Sequence, residues 1–367
     1  MKRVILGVTF PAAFILFMVS AMPAVAGVVT HHYTFPEPTA VREGDYYGVY
    51  MDGALTTGDP GDPGLPLFGA RLLLPPGEVV TDVRVVPGEE VLLGDGFLVA
   101  PVQRQYPLIH DGPIEMAVPD YAPGHVYPSE LHRDPVSGIF RGYGITNIGL
   151  CPVRYEAGTG RLYYYRSLDV EVVTVPSAGG TRDIERAIAR DDATIARLRE
   201  MVDNGEAADA YSGIERDHTG SRALDPADAY DYLIITTDAW DDYLGDLVDF
   251  RKQRGNRVGV FLKDWILVNY SGWDDQEAIR NFIADAYATW GSEYVLIVGD
   301  GEPTDANRIP ARGLYASTYG ETDSKIAADL YYAALDGDWD LDDDGLYGED
   351  GEEDFYPELA IGRAAVS

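Results

Sequence analysis

Hydrophobic and polar positions along this chain follow two rhythms. From residue 27 to about 178 the apolar residues come in short β-branched or aromatic runs with Gly and Pro between them. Arg71-Leu72-Leu73-Leu74 stops at Pro75-Pro76-Gly77, and Val79 to Val86 closes on Pro87-Gly88. Val91-Leu92-Leu93, Phe97-Leu98-Val99 and the long run Leu162 to Val175 follow. In that last run Leu168, Val170, Val172 and Thr174 alternate with Asp169, Glu171 and Val173, the period of an antiparallel strand with one face in water. Gly58-Asp59-Pro60-Gly61-Asp62-Pro63-Gly64 suits neither helix nor central strand and is read as an exposed loop. These signals predict a β-rich, antiparallel, sandwich-like domain over 27–178.

The period then changes. Ile184, Ile188, Ile195, Leu198 and Val202 fall near one face of a helix over 183–204, and the polar stretch 205–227 reads as an exposed connector. From Tyr230 the order becomes βαβαβ. Tyr232 to Thr237 is a continuous apolar strand, as expected when helices cover both faces of a sheet. Asp241 to Arg254 carries Leu244, Leu247, Val248 and Arg251 at helical spacing, and Gly255 stops it. Arg257 to Leu262 is a second strand. Asp274 or Asp275 caps the next helix, in which Ile279, Phe282, Ile283, Ala286, Tyr287 and Trp290 share one face, and Gly291 ends it. Tyr294 to Val298 and Glu358 to Ile361 complete four strands. Alternation at these lengths predicts a parallel sheet in three layers. With no helix after the fourth strand, the α/β domain over 228–367 is expected to be incomplete. The domain reading is therefore 1–26, 27–178, 179–227 and 228–367.

The first 26 residues read as a secretory signal. Lys2 and Arg3 precede an apolar run from Val4 to Val19, and Ala24-Val25-Ala26 offers small residues for cleavage ahead of Gly27. A secreted, extracellular or cell-surface protein with no membrane anchor after cleavage is expected. The 367 residues carry 28 Lys plus Arg against 61 Asp plus Glu, a net charge of −33, which argues against nucleic acid and anionic membrane as partners. One cysteine, Cys151, excludes an internal disulfide and a Cys-rich zinc site. It lies in an apolar run with no His near it in sequence, so a buried, inert thiol is expected.

The acidity is concentrated. Of the 19 residues from Asp336 to Asp354, 11 are Asp or Glu and none is basic. Asp340, Asp342 and Asp344, followed by Gly345, match the opening of a calcium loop, in which alternate carboxylates converge on one ion and Gly permits the turn. Position 12 of that register is Gly351, so the match is partial, with Asp338 and Glu349 as further ligands. A structural calcium ion is the cofactor this spacing predicts; a solvated acidic loop is the alternative. A nucleotide-binding or response-regulator-like α/β domain fits less well. Thr236-Thr237 and Gly299-Asp300 stand at strand ends, but no Gly-rich phosphate loop appears.

Several segments, in order, resemble the gingipain family of secreted cysteine peptidases. They are Tyr230 to Thr236, Lys252 to Val258, Tyr294 to Asp300, Ile309-Pro310, Asp329 to Ala333, Leu335 to Asp340 and Ile361-Gly362-Arg363. Gly64-Leu65-Pro66 ahead of Leu72 to Gly77, and Cys151 to Tyr155 ahead of Val170-Glu171-Val172, are similar to that family's pro-domain. The resemblance implies a caspase-like α/β domain, a zymogen, proteolysis by a Cys thiolate and a His base, and protein or peptide substrates. It also implies that the Cys and His follow the Ile-Gly-Arg strand, beyond Ser367. From Tyr230 onward this chain has neither residue type, and Cys151 does not match the nucleophile. No catalytic residue is therefore expected within the chain, apart from Asp329 as a carboxylate beside the missing His. Its alternatives are a cap or a calcium ligand. Arg216 and Arg222, in the connector, are candidate pro-domain cleavage points. The competing reading is a non-catalytic, calcium-stabilised secreted binding or structural module derived from the peptidase fold.

Overall fold

The structure is a computed structural model that describes residues 27–106, 112–122, 124–177, 188, 192–212, 224–225, 227–301, 308–318 and 321–366. The expected signal segment, Ala26, Arg216, Arg222, His110 and His218 lie outside the described residues.

The N-terminal part is antiparallel throughout. Ser167–Pro176 is the central strand of a three-stranded sheet, between Gly27–Thr34 and Glu78–Pro87. Its inward residues Leu168, Val170, Val172 and Thr174 are fully buried, as the alternation predicts. On its outer face Asp169 pairs with His32 at 2.6 Å, both side chains well exposed. A second sheet orders Leu55–Thr57, Leu65–Leu73, Tyr143–Leu150 and Val136–Phe140. A third orders Glu90–Gly94, Arg161–Tyr165, Val153–Glu156 and Val126–Tyr127. One apolar core, including Leu72, Val99, Ile148, Leu162 and Val172, lies among them. The expected single run Leu162 to Val175 is two strands in different sheets, because the chain changes sheet at Arg166. Phe97–Val99 is not a strand; Val99 only bridges to Tyr47.

The segment after this unit departs from the sequence reading. Of the helix expected over 183–204, the described part is Asp192–Met201, with Leu198 and Val202 buried beside Ile188; Ile184 lies outside the described residues. Residues 205–211, expected to be exposed connector, form a 3-10 helix with Ala208 and Tyr211 buried. The cause is an open sheet edge. Leu55–Thr57 covers Leu65–Leu73 only as far as Leu67, which leaves backbone groups of Arg71 and Leu73 unpaired by any strand on that side. Asp203 and Asn204 take them. The Leu73 N–H donates to Asn204 Oδ1 (2.7 Å), and Asn204 Nδ2 donates to the Leu73 carbonyl (3.0 Å). The Arg71 N–H donates to Asp203 Oδ2 at 2.8 Å. Tyr211 donates to the Leu74 carbonyl (2.9 Å) and accepts from the Gly144 N–H (3.2 Å). Residues 192–212 thus pack on the β-rich unit.

The C-terminal part is a four-stranded parallel sheet ordered Val258–Leu262, Tyr232–Thr236, Tyr294–Val298, Ala360–Ala364. All five residues of the Tyr232–Thr236 strand are buried, because both of its faces are covered. Leu233, Ile235, Val295 and Ile297 meet the Asp275–Trp290 helix and Ile266. Tyr232, Ile234 and Val298 meet Leu244, Leu247 and Val248. This is a three-layer α/β plan, with a parallel sheet covered on both faces. The Glu277 N–H donates to Asp274 (2.9 Å), which identifies Asp274 as the cap, and Gly291 closes the helix at φ 70°. Two elements carry no clear period in sequence: the Lys263–Asn269 helix, and the hairpin of Arg312–Thr318 with Glu321–Ala328. The fourth strand begins at Ala360, two residues later than expected, so Glu358 lies just before it. Among the described residues no helix is long and apolar enough to cross a membrane.

A strap over 353–358 joins the two units. Asn147 Nδ2 donates to the Tyr356 hydroxyl at 2.5 Å. The Arg141 N–H donates to Glu358 Oε1 (3.2 Å), and its Nε to the Glu358 carbonyl (3.0 Å). Gly138 lies so close to the Tyr356 ring that a Cβ there would collide with it.

Candidate functional site

The carboxyl ends of the parallel strands are where α/β sheets bind ligands. Arg363, in the last strand, dominates that edge. Its Nη1 donates to the carbonyls of Gly299 (3.1 Å) and Ile309 (2.7 Å). Its Nε and Nη2 grip Asp329 at 2.8 and 2.6 Å. Asp329, the one carboxylate nominated for catalytic support, therefore stands at this edge with both oxygens engaged by a guanidinium. It makes no side-chain cap bond to the Leu330–Tyr332 turn and, among the described residues, belongs to none of the carboxylate groups that could share a cation. Thr236, also at this edge, donates to the Val298 carbonyl (3.2 Å) and so ties two strand ends together.

Beside this edge a second arginine organises the acidic loop. Arg312 is 4% exposed and makes a two-pronged pair with Asp274, Nη1 to Oδ2 at 2.7 Å and Nη2 to Oδ1 at 2.8 Å. Its guanidinium lies 4.4 Å from the Tyr331 ring centre and 3.8 Å from that of Tyr347. Tyr347 belongs to the acidic loop, and Trp339, at the other end of that loop, is buried in the α/β core. Burial raises the Asp274 carboxyl. The Arg312 hydrogen bonds and charge, with the N–H groups of Glu277 and Gln276, outweigh it and hold the group below the usual carboxylate range.

In the loop, one carboxylate oxygen from each of Asp340, Asp342 and Asp344 lies within 4.8 Å of the others. Asp342 forms a second group of that kind with Glu349 and Glu352. Asp338 joins neither group; its Oδ1 accepts from the Asp340 N–H at 3.3 Å. The turn is built by the aspartates themselves: the Gly345 N–H donates to Asp340 at 3.1 Å and the Leu346 N–H to Asp344 at 2.8 Å. Gly345 has φ 85°, the left-handed conformation the spacing requires of it. Desolvation, then the charges of Asp344, Asp342, Glu352 and Asp340, push the Glu349 carboxyl up. Hard oxygen donors at this density suit calcium rather than a softer metal.

Cys151 is buried, as expected. The fold does bring a histidine to its cavity, since His125, Arg133, Asp62 and Tyr127 line it as well. Burial pushes the thiol up, and Arg133 only partly opposes this, so the group lacks the thiolate character of a nucleophile. Gly27, the expected first residue after signal cleavage, opens the first strand and pairs with Thr174. The sequence did not single out Arg312, and Arg363 entered only as part of the Ile-Gly-Arg run, with no partner assigned. The available signal was an arginine inside an apolar, strand-like run, which calls for a buried partner.

Residues 225–367 match the model of peptidase family C25. The family likeness read from the sequence therefore holds over the α/β segment. A solved complex of the pro- and mature domains of RgpB from Porphyromonas gingivalis aligns at 14% identity and TM-score 0.38, covering 51% of this chain and 96% of that one. A structure on the zymogenic latency of gingipain K from Porphyromonas gingivalis aligns at 22% identity and TM-score 0.34, covering 43% of this chain and 97% of that one. No curated protein gives a significant match.

Replacing Arg312 by Met keeps much of its volume and leaves Asp274 without its partner. The expected loss is about 2–3 kcal/mol in denaturant unfolding, below that of a wholly buried pair because Asp274 keeps some contact with water. Asp274 has a lowered carboxyl pKa in the folded state, so the pair stabilises the fold above the usual carboxylate range. The difference between wild type and R312M is thus full above roughly pH 4 and shrinks as the pH falls through the lowered value. A difference that grows on acidification would contradict this assignment.

Proposed function

We propose, from the match of residues 225–367 to peptidase family C25, that this chain holds the pro-domain-like unit and the leading part of the catalytic unit of a secreted cysteine endopeptidase made as a zymogen. The C25 match is the observation that carries the reading. Docking of the β-rich unit on the α/β unit through Asn147–Tyr356 and Arg141–Glu358 supports it, since a pro-domain must hold on to what it keeps latent. The nucleophilic Cys and basic His come from sequence beyond Ser367, because none lies from Tyr230 onward. In this reading Arg363 fixes Asp329 at the sheet edge, beside the position of the His. A thiolate needs such a base or a positive field to form near neutral pH. Residues 1–26 are the signal, cut between Ala26 and Gly27, and Arg216 or Arg222 is where the pro-domain is released. The substrates are proteins or peptides. The boundaries 27–178, 179–227 and 228–367 serve as pro-domain, connector and catalytic part, with residues 192–212 travelling with the pro-domain. We also infer a structural calcium ion on Asp340, Asp342 and Asp344, with Glu349 completing the set and Asp338 at its margin.

The absence of His and Cys from Tyr230 onward equally supports the second reading, a non-catalytic, calcium-stabilised secreted module. Sequencing the gene past codon 367 and assaying its product separates the two. The enzyme reading expects an open frame running through a strand that ends in His and another that ends in Cys. It also expects peptide hydrolysis that thiol reagents abolish and that rises once the N-terminus moves past residue 216 or 222. A stop codon at 368, or full activity in a protein that still begins at Gly27, would contradict it. For the calcium loop, titration calorimetry should give binding heat for the wild type and lose that component in an Asp340→Ala, Asp342→Ala variant. Equal heats would remove the loop site.

A further inference from the structure

The β-rich unit carries a cavity of about 420 Å³ whose lining runs against the charge of the chain. Acidic residues outnumber Lys and Arg by 61 to 28 in the sequence. Yet Arg84, Arg154 and His132 all line this cavity, and Glu130, itself exposed, is the one carboxylate among its lining residues. A lining of that sign favours an anion.

The strands explain its shape. Arg154 lies in Val153–Glu156 of the third sheet, and Arg84 lies in Glu78–Pro87, the outer strand of the three-stranded sheet. Val83, Arg84 and Val85 all line the cavity, although neighbours in a strand face opposite ways. The cavity therefore meets the edge of that strand, not one of its faces. Among the described residues no strand pairs with this edge, so it can take a further extended segment. Val83 and Leu131, both buried, give the cavity an apolar wall.

The two arginines differ. Arg84 stands at the rim, 64% exposed, and pairs with Asp82 at 3.1 Å. Arg154 is half-buried. Its Nη2 donates to the Ser129 carbonyl at 2.8 Å, while its Nε is shut off from solvent and finds no acceptor. Glu90, the carboxylate across Tyr165, accepts from the Tyr165 hydroxyl at 2.8 Å. A guanidinium with a buried, unmatched N–H is costly, and an anion brought to it relieves the imbalance. An open strand edge, an apolar wall and an undersupplied guanidinium thus converge on one space. One occupant uses all three, the carboxyl end of an extended peptide. Its backbone pairs with the edge, its last side chain packs on Val83 and Leu131, and its carboxylate meets Arg154. An inorganic ion uses only the last of these, and the volume is that of a small-ligand site.

We propose that the cavity between Val83–Val85 and Arg154 binds the free carboxyl terminus of an extended peptide with an apolar last residue. The proposal is independent of the peptidase reading.

Titration calorimetry on the full chain tests it, with N-acetylated alanyl-valyl-leucine as the ligand. The free acid should bind at millimolar concentration or below, and its carboxamide about tenfold more weakly. Arg154→Met keeps much of the side-chain volume and should bring the acid down to the level of the amide. Arg84→Gln is the second variant, should Arg154→Met not fold, and should weaken the acid by about threefold, as expected of an exposed charge. Methylating the backbone nitrogens of the peptide should also weaken it, by removing N–H groups that pair with the strand edge. No binding of the acid, or equal affinity for acid and amide, would overturn the proposal. Affinity unchanged in both variants would do the same, and equal binding of the methylated peptide would contradict the pairing with the strand edge. Sodium sulfate binding where the peptide does not would reduce the cavity to an inorganic anion site and overturn the assignment.

Discussion

Glu358 is the residue on which the two units depend. It is buried immediately before the last parallel strand, and it serves three segments at once. Its backbone N–H donates to the Ala333 carbonyl at 3.0 Å, and its carboxylate accepts from Leu335, which sets the turn that leads into the acidic loop. Its other carboxylate oxygen and its carbonyl take the N–H and Nε of Arg141, a residue of the β-rich unit. Arg141 has φ 49°, a conformation that disfavours any residue but glycine. Bonds to Glu358 and Thr194 hold it there. The strand end, the loop and the docking of the first unit are thus fixed around one carboxylate, whose burial is tolerable only because its oxygens find donors.

The same contrast explains how one acidic chain uses its carboxylates. Those on Asp340, Asp342 and Asp344 are exposed or half-exposed and bind the backbone of their own turn. Water screens them from one another, and they shape a loop. Asp274 and Asp329 each face one arginine and fix a helix start and a strand edge. Asp336 and Asp354 hold buried oxygens that no donor reaches, and Glu358, buried beside them, is held by backbone N–H groups. These eight of the chain's 61 acidic residues thus show three kinds of physics, and among them only the buried group bears on how the two units hold together.

The α/β unit was largely legible because its signals are local. An apolar run fixes each buried strand, a 3.6-residue period fixes Asp275–Trp290, and Asp274 and Gly291 mark its ends. The alternation in Ser167–Pro176 was legible for the same reason. The Lys263–Asn269 helix, seven residues long with only Ile266 buried, left almost no period to read. Residues 205–211 misled because their apolar burial is created by a sheet edge more than 130 positions earlier, as the separation of Leu73 and Asn204 shows. At the candidate site the Asp340-x-Asp342-x-Asp344-Gly345 spacing was visible, and Asp329 was singled out only through the family resemblance. Its capture by Arg363, the Asp274–Arg312 pair and the Asp336–Asp354–Glu358 group were not visible, since each joins residues that no short-range pattern connects.

The central claim is that the β-rich unit is docked on the α/β unit through the 353–358 strap. A double-mutant cycle across Asn147 and Tyr356 tests it most directly, with Asn147→Ala and Tyr356→Phe compared singly and together in denaturant unfolding. The hydrogen bond between them predicts a coupling energy of about 1 kcal/mol, so the double variant should lose less than the sum of the two single losses. Strictly additive losses would mean that the two side chains do not meet in solution, and the docked arrangement would be contradicted.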